Sequence, residues 1–262
     1  MPQPFDPLDY GLLVLGGFAA GVINSLAGNG SAITLTLLMG MGLSPAWANA
    51  TNRIGVVFQT ITAVLSLPRN EQLRELRKKT SAWILPSVLG TIIGALCADE
   101  VPEVWLNRSI GGVMLFLLLT LIFKPQKWQV GSSEVKRDGG IKMVLYFFLI
   151  GLYAGYLQMG IGIMILAVLV LSARYTLVEA NVVKLLIALV LTIPAFFVFS
   201  FSGKMNWPMG ITLGIGQMLG AWFGTRRLLQ HPRAAIWIHY LLILILGYAV
   251  LRIFGLFKFF AF

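Results

Sequence analysis

Forty-three consecutive residues, Tyr10 to Asn52, contain no Asp, Glu, Lys or Arg, and a second charge-free run covers the 31 residues from Met143 to Ala173. One helix crossing a bilayer needs about 20 apolar residues. Each run is therefore too long for a single crossing and has to turn back on itself. Shorter charge-free stretches follow at Ser81 to Ala98, Ser109 to Phe123, Leu185 to Gly203, Met205 to Thr225 and Ala234 to Leu251. With 58% hydrophobic and 11% charged residues, the chain lies outside the range of ordinary soluble domains, and a bilayer is its solvent. The reading is an all-α polytopic membrane protein.

The loops set the topology. Arg69 to Lys79 holds five basic residues against Glu71 and Glu75, and Lys124 to Lys142 holds five against Glu134 and Asp138. Arg226, Arg227 and Arg233 mark a third basic loop. Under the positive-inside rule these three are cytoplasmic, whereas the connection carrying Asp99, Glu100 and Glu103 is on the far side. This accounts for the net charge of +10 without a nucleic-acid partner, which would need a basic face on a soluble domain. The first ten residues carry Asp6 and Asp9 and no Lys or Arg, so they lack the basic region of a cleavable signal peptide.

Counting crossings makes Tyr10 to Leu43 a hairpin broken at Gly28, Asn29, Gly30 and Ser31. The second long run becomes another hairpin, broken near Gly160 and Gly162. The expected first repeat, 1–123, has hairpin 10–43 and spans 46–67, 81–98 and 105–123. A cytoplasmic linker, 124–141, leads to the second repeat, 142–262, with hairpin 142–173 and spans 178–201, 205–225 and 234–256. An odd number of crossings inverts the second half relative to the first and leaves Arg252 and Lys258 outside. Whether the hairpins cross fully or re-enter is open, because both have the same parity.

Internal similarity supports the pairing. At an offset of 132, Gly28, Gly30, Ile33, Leu37, Ala48 and Asn49 fall on Gly160, Gly162, Ile165, Leu169, Ala180 and Asn181; at 134, Gly17, Gly21 and Asn24 fall on Gly151, Gly155 and Gln158. Inverted repeats with discontinuous helices are a transporter architecture that binds substrate at the repeat interface.

A helix broken in hydrocarbon is tolerated only where its freed backbone groups meet protein, water or ligand. Helices starting near Ser31 and Ile163 would aim free N–H groups and positive dipole ends at the centre, which suits an anion. Asn24, Asn29, Ser31 and Gln158 add neutral donors; glycines needed only for close packing are the alternative. Arg53 and Lys184 sit at similar depths in matching helices, with Asn49, Thr51, Asn52 and Asn181 on the same turns. Intramembrane cations bind, pair or snorkel. Glu179 reads as a solvated helix cap or the carrier of a coupled proton.

Cys97 is the only cysteine, and His231 and His239 have no partner at metal-ligand spacing. With no nucleotide-binding or nucleophile-elbow motif either, the expectation is no cofactor, no metal and no enzyme. Trp105 and Trp128 read as interface anchors. Oligomeric state is not legible.

The segment Gly17 to Arg53, GFAAGVINSLAGNGSAITLTLLMGMGLSPAWANATNR, resembles the N-terminal motif of the TauE/SafE family of transporters. GLYAGYLQMGIGI at 151–163, with EANVVK at 179–184, resembles its second copy, and carries Gln158 and Met159 in place of a more glycine-rich stretch. The resemblance covers essentially the whole chain. It implies movement of sulfite or an organosulfonate across the bacterial inner membrane, often outward. A passive anion channel, or a proton-coupled importer of another small anion, are the alternatives.

Overall fold

The computed structural model describes residues 6–68, 70–122 and 140–228, and seven positions between 240 and 251. The expected linker, apart from Gly140 and Ile141, lies outside the described residues, as do His231, Arg233, His239, Arg252, Lys258 and Trp128. The expected last span, 234–256, is described only at those seven positions.

Every regular element among the described residues is helical. Helix α1, Pro7–Leu26, begins at a proline, whose missing N–H is harmless in a first turn, and Asp6 N donates to Asp9 Oδ2 at 3.1 Å. α2 spans Gly30–Gly40 and α3 Pro45–Leu65, the latter again opening on proline. α4, Glu71–Glu100, starts where Asn70 Oδ1 accepts from Leu73 N at 2.9 Å. It extends well N-terminal of the charge-free stretch at Ser81, because the basic segment continues the helix with Glu71 facing Arg74 and Glu75 facing Lys79. α5 is Glu103–Ile122 and α6 Gly140–Tyr156. α7, Ile161–Ala167, runs into a wider π turn, Val168–Ser172. α8, Leu177–Phe201, opens with a capping box in which Glu179 Oε2 accepts from Thr176 N at 3.1 Å and Thr176 Oγ1 accepts from Glu179 N at 3.3 Å. α9, Trp207–Phe223, ends in a second π turn, Gly224–Leu228.

Four of these helices, α1, α4, α5 and α8, contain stretches long and apolar enough to cross a membrane. The distribution of polarity is that of a membrane protein: Leu8, Leu15, Leu85, Phe116 and Phe201 are on the outside, while Asn29, Asn49, Asn52, Arg53, Gln59 and Lys184 are buried. α3 is long enough but carries its polar residues, Asn49 to Arg53, in the interior, where protein and not lipid surrounds them. α2 has 11 residues, about 16 Å at 1.5 Å per residue. That is roughly half the hydrocarbon thickness of about 30 Å.

Helix pairs are joined by glycine. α1 packs on α9, where Cβ atoms at Gly17 and Gly21 would overlap the carbonyls of Leu213 and Gln217, and at Gly216 and Gly220 those of Val14 and Phe18. α6 packs on α4 in the same manner: Gly151 and Gly155 lie against Ser87 O and Thr91 O, Gly90 and Gly94 against Phe148 O and Leu152 O. Small residues permit this backbone approach in membranes, where no hydrophobic force draws helices together. Between the two seams α3 and α8 cross each other, α3 also touching α9 and α8 touching α4.

Candidate functional site

Each long apolar run breaks where its glycines lie. α1 closes with Ala27 N donating to Ile23 O at 2.7 Å; Gly28 then turns to φ +78°, a conformation costly for other residues, and α2 starts at Gly30. Asn24 Oδ1 accepts from Gly30 N at 3.3 Å and fastens α2 back onto α1. The second break places Gln158 at φ +62° and Gly160 at φ +72°, with Tyr153 OH donating to Met159 O at 2.5 Å. A left-handed glutamine costs energy unless its surroundings hold it. Here Gln158 Oε1 accepts from Arg53 Nη1 at 2.8 Å and its Nε2 donates to Thr192 Oγ1 at 2.8 Å. The two tips touch through backbone: a Cβ on Gly28 would overlap Gly162, and one on Gly162 would overlap Gly28.

The two buried cations terminate helices of the opposite half. Arg53 of α3 donates through Nη1 to Ala154 O at 2.7 Å and through Nη2 to Gly155 O at 2.9 Å and Asn49 Oδ1 at 3.2 Å. Asn49 Nδ2 adds a bond to Tyr156 O at 2.9 Å. The orphan carbonyls at the end of α6 are thus satisfied by a side chain from across the molecule. The guanidinium also lies 4.9 Å from the centroid of the Phe199 ring, and only Nε lacks a partner. Lys184 of α8 does the equivalent for α1, its Nζ donating to Ser25 O at 2.9 Å and Asn181 Oδ1 at 2.7 Å, with Asn24 O and Leu26 O at a loose 3.5 Å. Cations at helix C-termini meet the negative end of the dipole.

A central cavity of about 20 Å³ lies between the tips, walled by Asn24, Gly28 and Ser31 from the first hairpin, Gln158 and Gly162 from the second, and Lys184. Six of the thirteen residues expected from sequence therefore converge. Asn29 and Gly30, with Gly160, form the tips behind the wall. Asn29 is wholly buried with neither amide atom paired. Asn52 Oδ1 accepts from Thr34 Oγ1 at 2.6 Å, tying α2 to α3, and its Nδ2 is unpaired. Arg53 and Asn49 belong to the end of α6 and not to the cavity wall. Asn181 occupies the wall of a second, larger pocket of about 620 Å³, formed by Leu67, Asn70, Leu73, the start of α8 and Thr225. Its side chain thus stands between that vestibule and Lys184.

The sequence profile described as sulfite exporter TauE/SafE matches residues 13–253. The chain belongs to the TauE/SafE family. Among similar proteins, "Probable membrane transporter protein ORF9" of a Sinorhizobium species is 29% identical over 82% of this chain and 81% of its own length. "Probable membrane transporter protein YfcA" of Escherichia coli K12 is 27% identical over 88% and 85%. A third, "Probable membrane transporter protein" of Haemophilus influenzae, is 24% identical over 84% and 85%. No solved structure matches the chain significantly. As a TauE/SafE protein it is a multi-pass membrane transporter of a small molecule and not an enzyme.

Within this TauE/SafE site, sequence reasoning passed over Val56, Gln59 and Thr60 of α3 and Ile161, Leu185 and Ala188, which complete the cavity wall. The recoverable clue was spacing. Asn52, Val56, Gln59 and Thr60 recur at helical intervals, so a buried face already marked by Asn52 continues to Gln59.

Proposed function

We propose that the chain is a secondary transporter that moves a small sulfur-containing oxyanion, sulfite or an organosulfonate, outward across the bacterial inner membrane by alternating access. The observation that carries this reading is the cavity between the hairpin tips: its wall holds one buried ammonium, several neutral hydrogen-bonding groups and no carboxylate. With the cell interior negative, one negative charge leaving gains about 2.3 kcal/mol per 100 mV, so export requires neither ATP hydrolysis nor an acid to carry a coupled proton.

The two halves act as inverted repeats around this point. Their packing supports the relation, because exchanging α1, α2, α3 and α4 for α6, α7, α8 and α9 turns one set of helix contacts into the other. A cavity of about 20 Å³ holds about one water molecule, and an anion of four heavy atoms needs the tips to part. On the side of the basic segments the 620 Å³ vestibule reaches Asn181. On the opposite side Lys204 Nζ pairs with Asp99 Oδ1 at 2.7 Å and Asp99 O at 2.9 Å, and Ser44 Oγ donates to Glu103 Oε1. This conformation suits a carrier open toward the cytoplasm and closed outward.

Purified protein in proteoliposomes tests the reading. Sulfite flux that follows an imposed membrane potential, saturates with concentration and shows no unitary current is the expected result, and Lys184→Gln abolishes it. Unitary currents without saturation would replace the carrier with a pore. Movement that requires an imposed proton gradient would replace export with coupled import, and no flux of any sulfur oxyanion would withdraw the substrate.

A further inference from the structure

The vestibule is built for more than the head of a small anion. Its volume of about 620 Å³ falls within the range of about 300–1,000 Å³ typical of pockets that enclose whole organic molecules, whereas sulfite has four heavy atoms. Its wall is mostly apolar, with Leu67 from the turn after α3, Leu73 and Leu76 from α4, and Leu177 and Val182 from α8. A bare oxyanion gains nothing from such a surface. A carbon chain does, by up to about fourfold in affinity for each methylene removed from water. Leu67 and Leu73 pack in one cluster with Leu185, and Val182 lies against it; Leu185 also lines the central cavity. The apolar wall therefore continues to the edge of the site between the tips.

The polar groups of the vestibule are few, and two of them have capacity to spare. Asn181 Oδ1 is held by Lys184 Nζ at 2.7 Å, which leaves its amide N–H₂ without a hydrogen bond among the described residues. Thr225 is 7% exposed and its hydroxyl has no partner. Other buried helical threonines return the hydroxyl to a carbonyl one turn back, as Thr60, Thr80 and Thr91 do. Thr225 lies in the π turn Gly224–Leu228, where the backbone register shifts, and its hydroxyl is left to the vestibule. A buried polar group without a partner asks for an explanation, and a ligand oxygen supplies one. The remaining polar residues are engaged in helix caps: Asn70 Oδ1 accepts from Leu73 N at 2.9 Å, and Glu179 Oε2 accepts from Thr176 N at 3.1 Å and Thr176 Oγ1 at 3.0 Å.

We infer that the vestibule is an organic subsite, which holds the carbon arm of the substrate on Leu67, Leu73, Leu76 and Val182 while the N–H₂ of Asn181 and the hydroxyl of Thr225 donate to the oxygens of its acid group. This rests on the transporter reading above and narrows its substrate to an organosulfonate, sulfite being the head group without the arm.

The test is titration calorimetry on the purified full-length protein with methane-, ethane-, propane- and butanesulfonate, which share one head group. Butanesulfonate is expected to bind at least about tenfold more tightly than methanesulfonate, and Val182→Phe, which fills the vestibule, to reduce that ratio. Thr225→Val keeps the shape of the side chain and is expected to weaken all four about tenfold, the weight of one hydrogen bond to a charged group. Its unfolding temperature without ligand should not fall, because the hydroxyl it removes has no partner to strand. A flat series, a series as steep in Val182→Phe as in the unsubstituted protein, or unchanged binding of all four by Thr225→Val overturns the inference. If Val182→Phe does not fold, as read by its thermal unfolding, the series and Thr225→Val decide. Should no alkanesulfonate bind while sulfite still crosses proteoliposomes, this inference fails and the transport reading stands; should none bind and no sulfur oxyanion cross, both fail.

Discussion

Arg53 and Lys184 solve the same problem with different completeness. Each reaches from a central helix to close the C-terminus of a broken hairpin arm in the other half of the chain. Arg53 does so with two nitrogens, four acceptors and an aromatic ring. Lys184 does so with one nitrogen, two short bonds and two long ones, and it alone faces the cavity. The guanidinium fork is a fixed, planar clamp, and an ammonium is a point charge on a flexible stem. One junction is built to stay shut, and the other retains a charge that can turn toward an incoming ion.

The comparison breaks most visibly at Arg53. Arg53→Ala strands Ala154 O, Gly155 O and Gln158 Oε1 inside the protein. At about 1–3 kcal/mol for each of these three buried orphans, the loss is about 3–9 kcal/mol, seen as a large fall in the unfolding temperature in detergent; Arg53→Lys should recover only part. Gly162→Ala follows, because its methyl group overlaps Gly28 and overpacking costs about 1–3 kcal/mol. Both tips would shift, and thermal unfolding together with sulfite flux would register it. Lys184→Gln should lower stability by only about 1–2 kcal/mol, since the amide still reaches an acceptor, yet stop transport. Equal destabilisation by Lys184→Gln and Arg53→Ala would erase the distinction between clamp and binding charge. Asp99→Asn is smallest, under about 1 kcal/mol for a partly exposed pair; its expected mark is faster outward opening, measured as flux, with an effect that fades as salt rises.

How far the sequence could be read follows the same division. The break at Gly28 to Ser31 was visible because glycine and asparagine interrupt an apolar helix, and the all-helical architecture followed from the length of the charge-free runs. That Arg53 and Lys184 lay deep was visible as well, since each follows the start of its helix by less than three turns. Their partners were not: Ala154 O, Gly155 O and Ser25 O are backbone atoms, which have no letter of their own. Asn29 looked like a donor for substrate, but its amide is buried behind the tip and not in the cavity wall. Gln59 was overlooked because a single glutamine among Thr60, Thr62 and apolar neighbours has no charge to draw notice, and only three-dimensional closure shows it to be unpaired. The helical start of α4 was hidden by reading a charged stretch as loop.

The glycine seams carry a last implication, about assembly. α1 is joined to α9 and α6 to α4, so each of these two seams has one strip of glycines from each half of the chain. Until α9 emerges from the insertion machinery, α1 has no surface to receive Gly17 and Gly21, and early helices must wait in the lipid for late ones. Two polypeptides made by dividing the chain between α5 and α6 should therefore survive only when produced together, each acting as the missing half of the other's zipper.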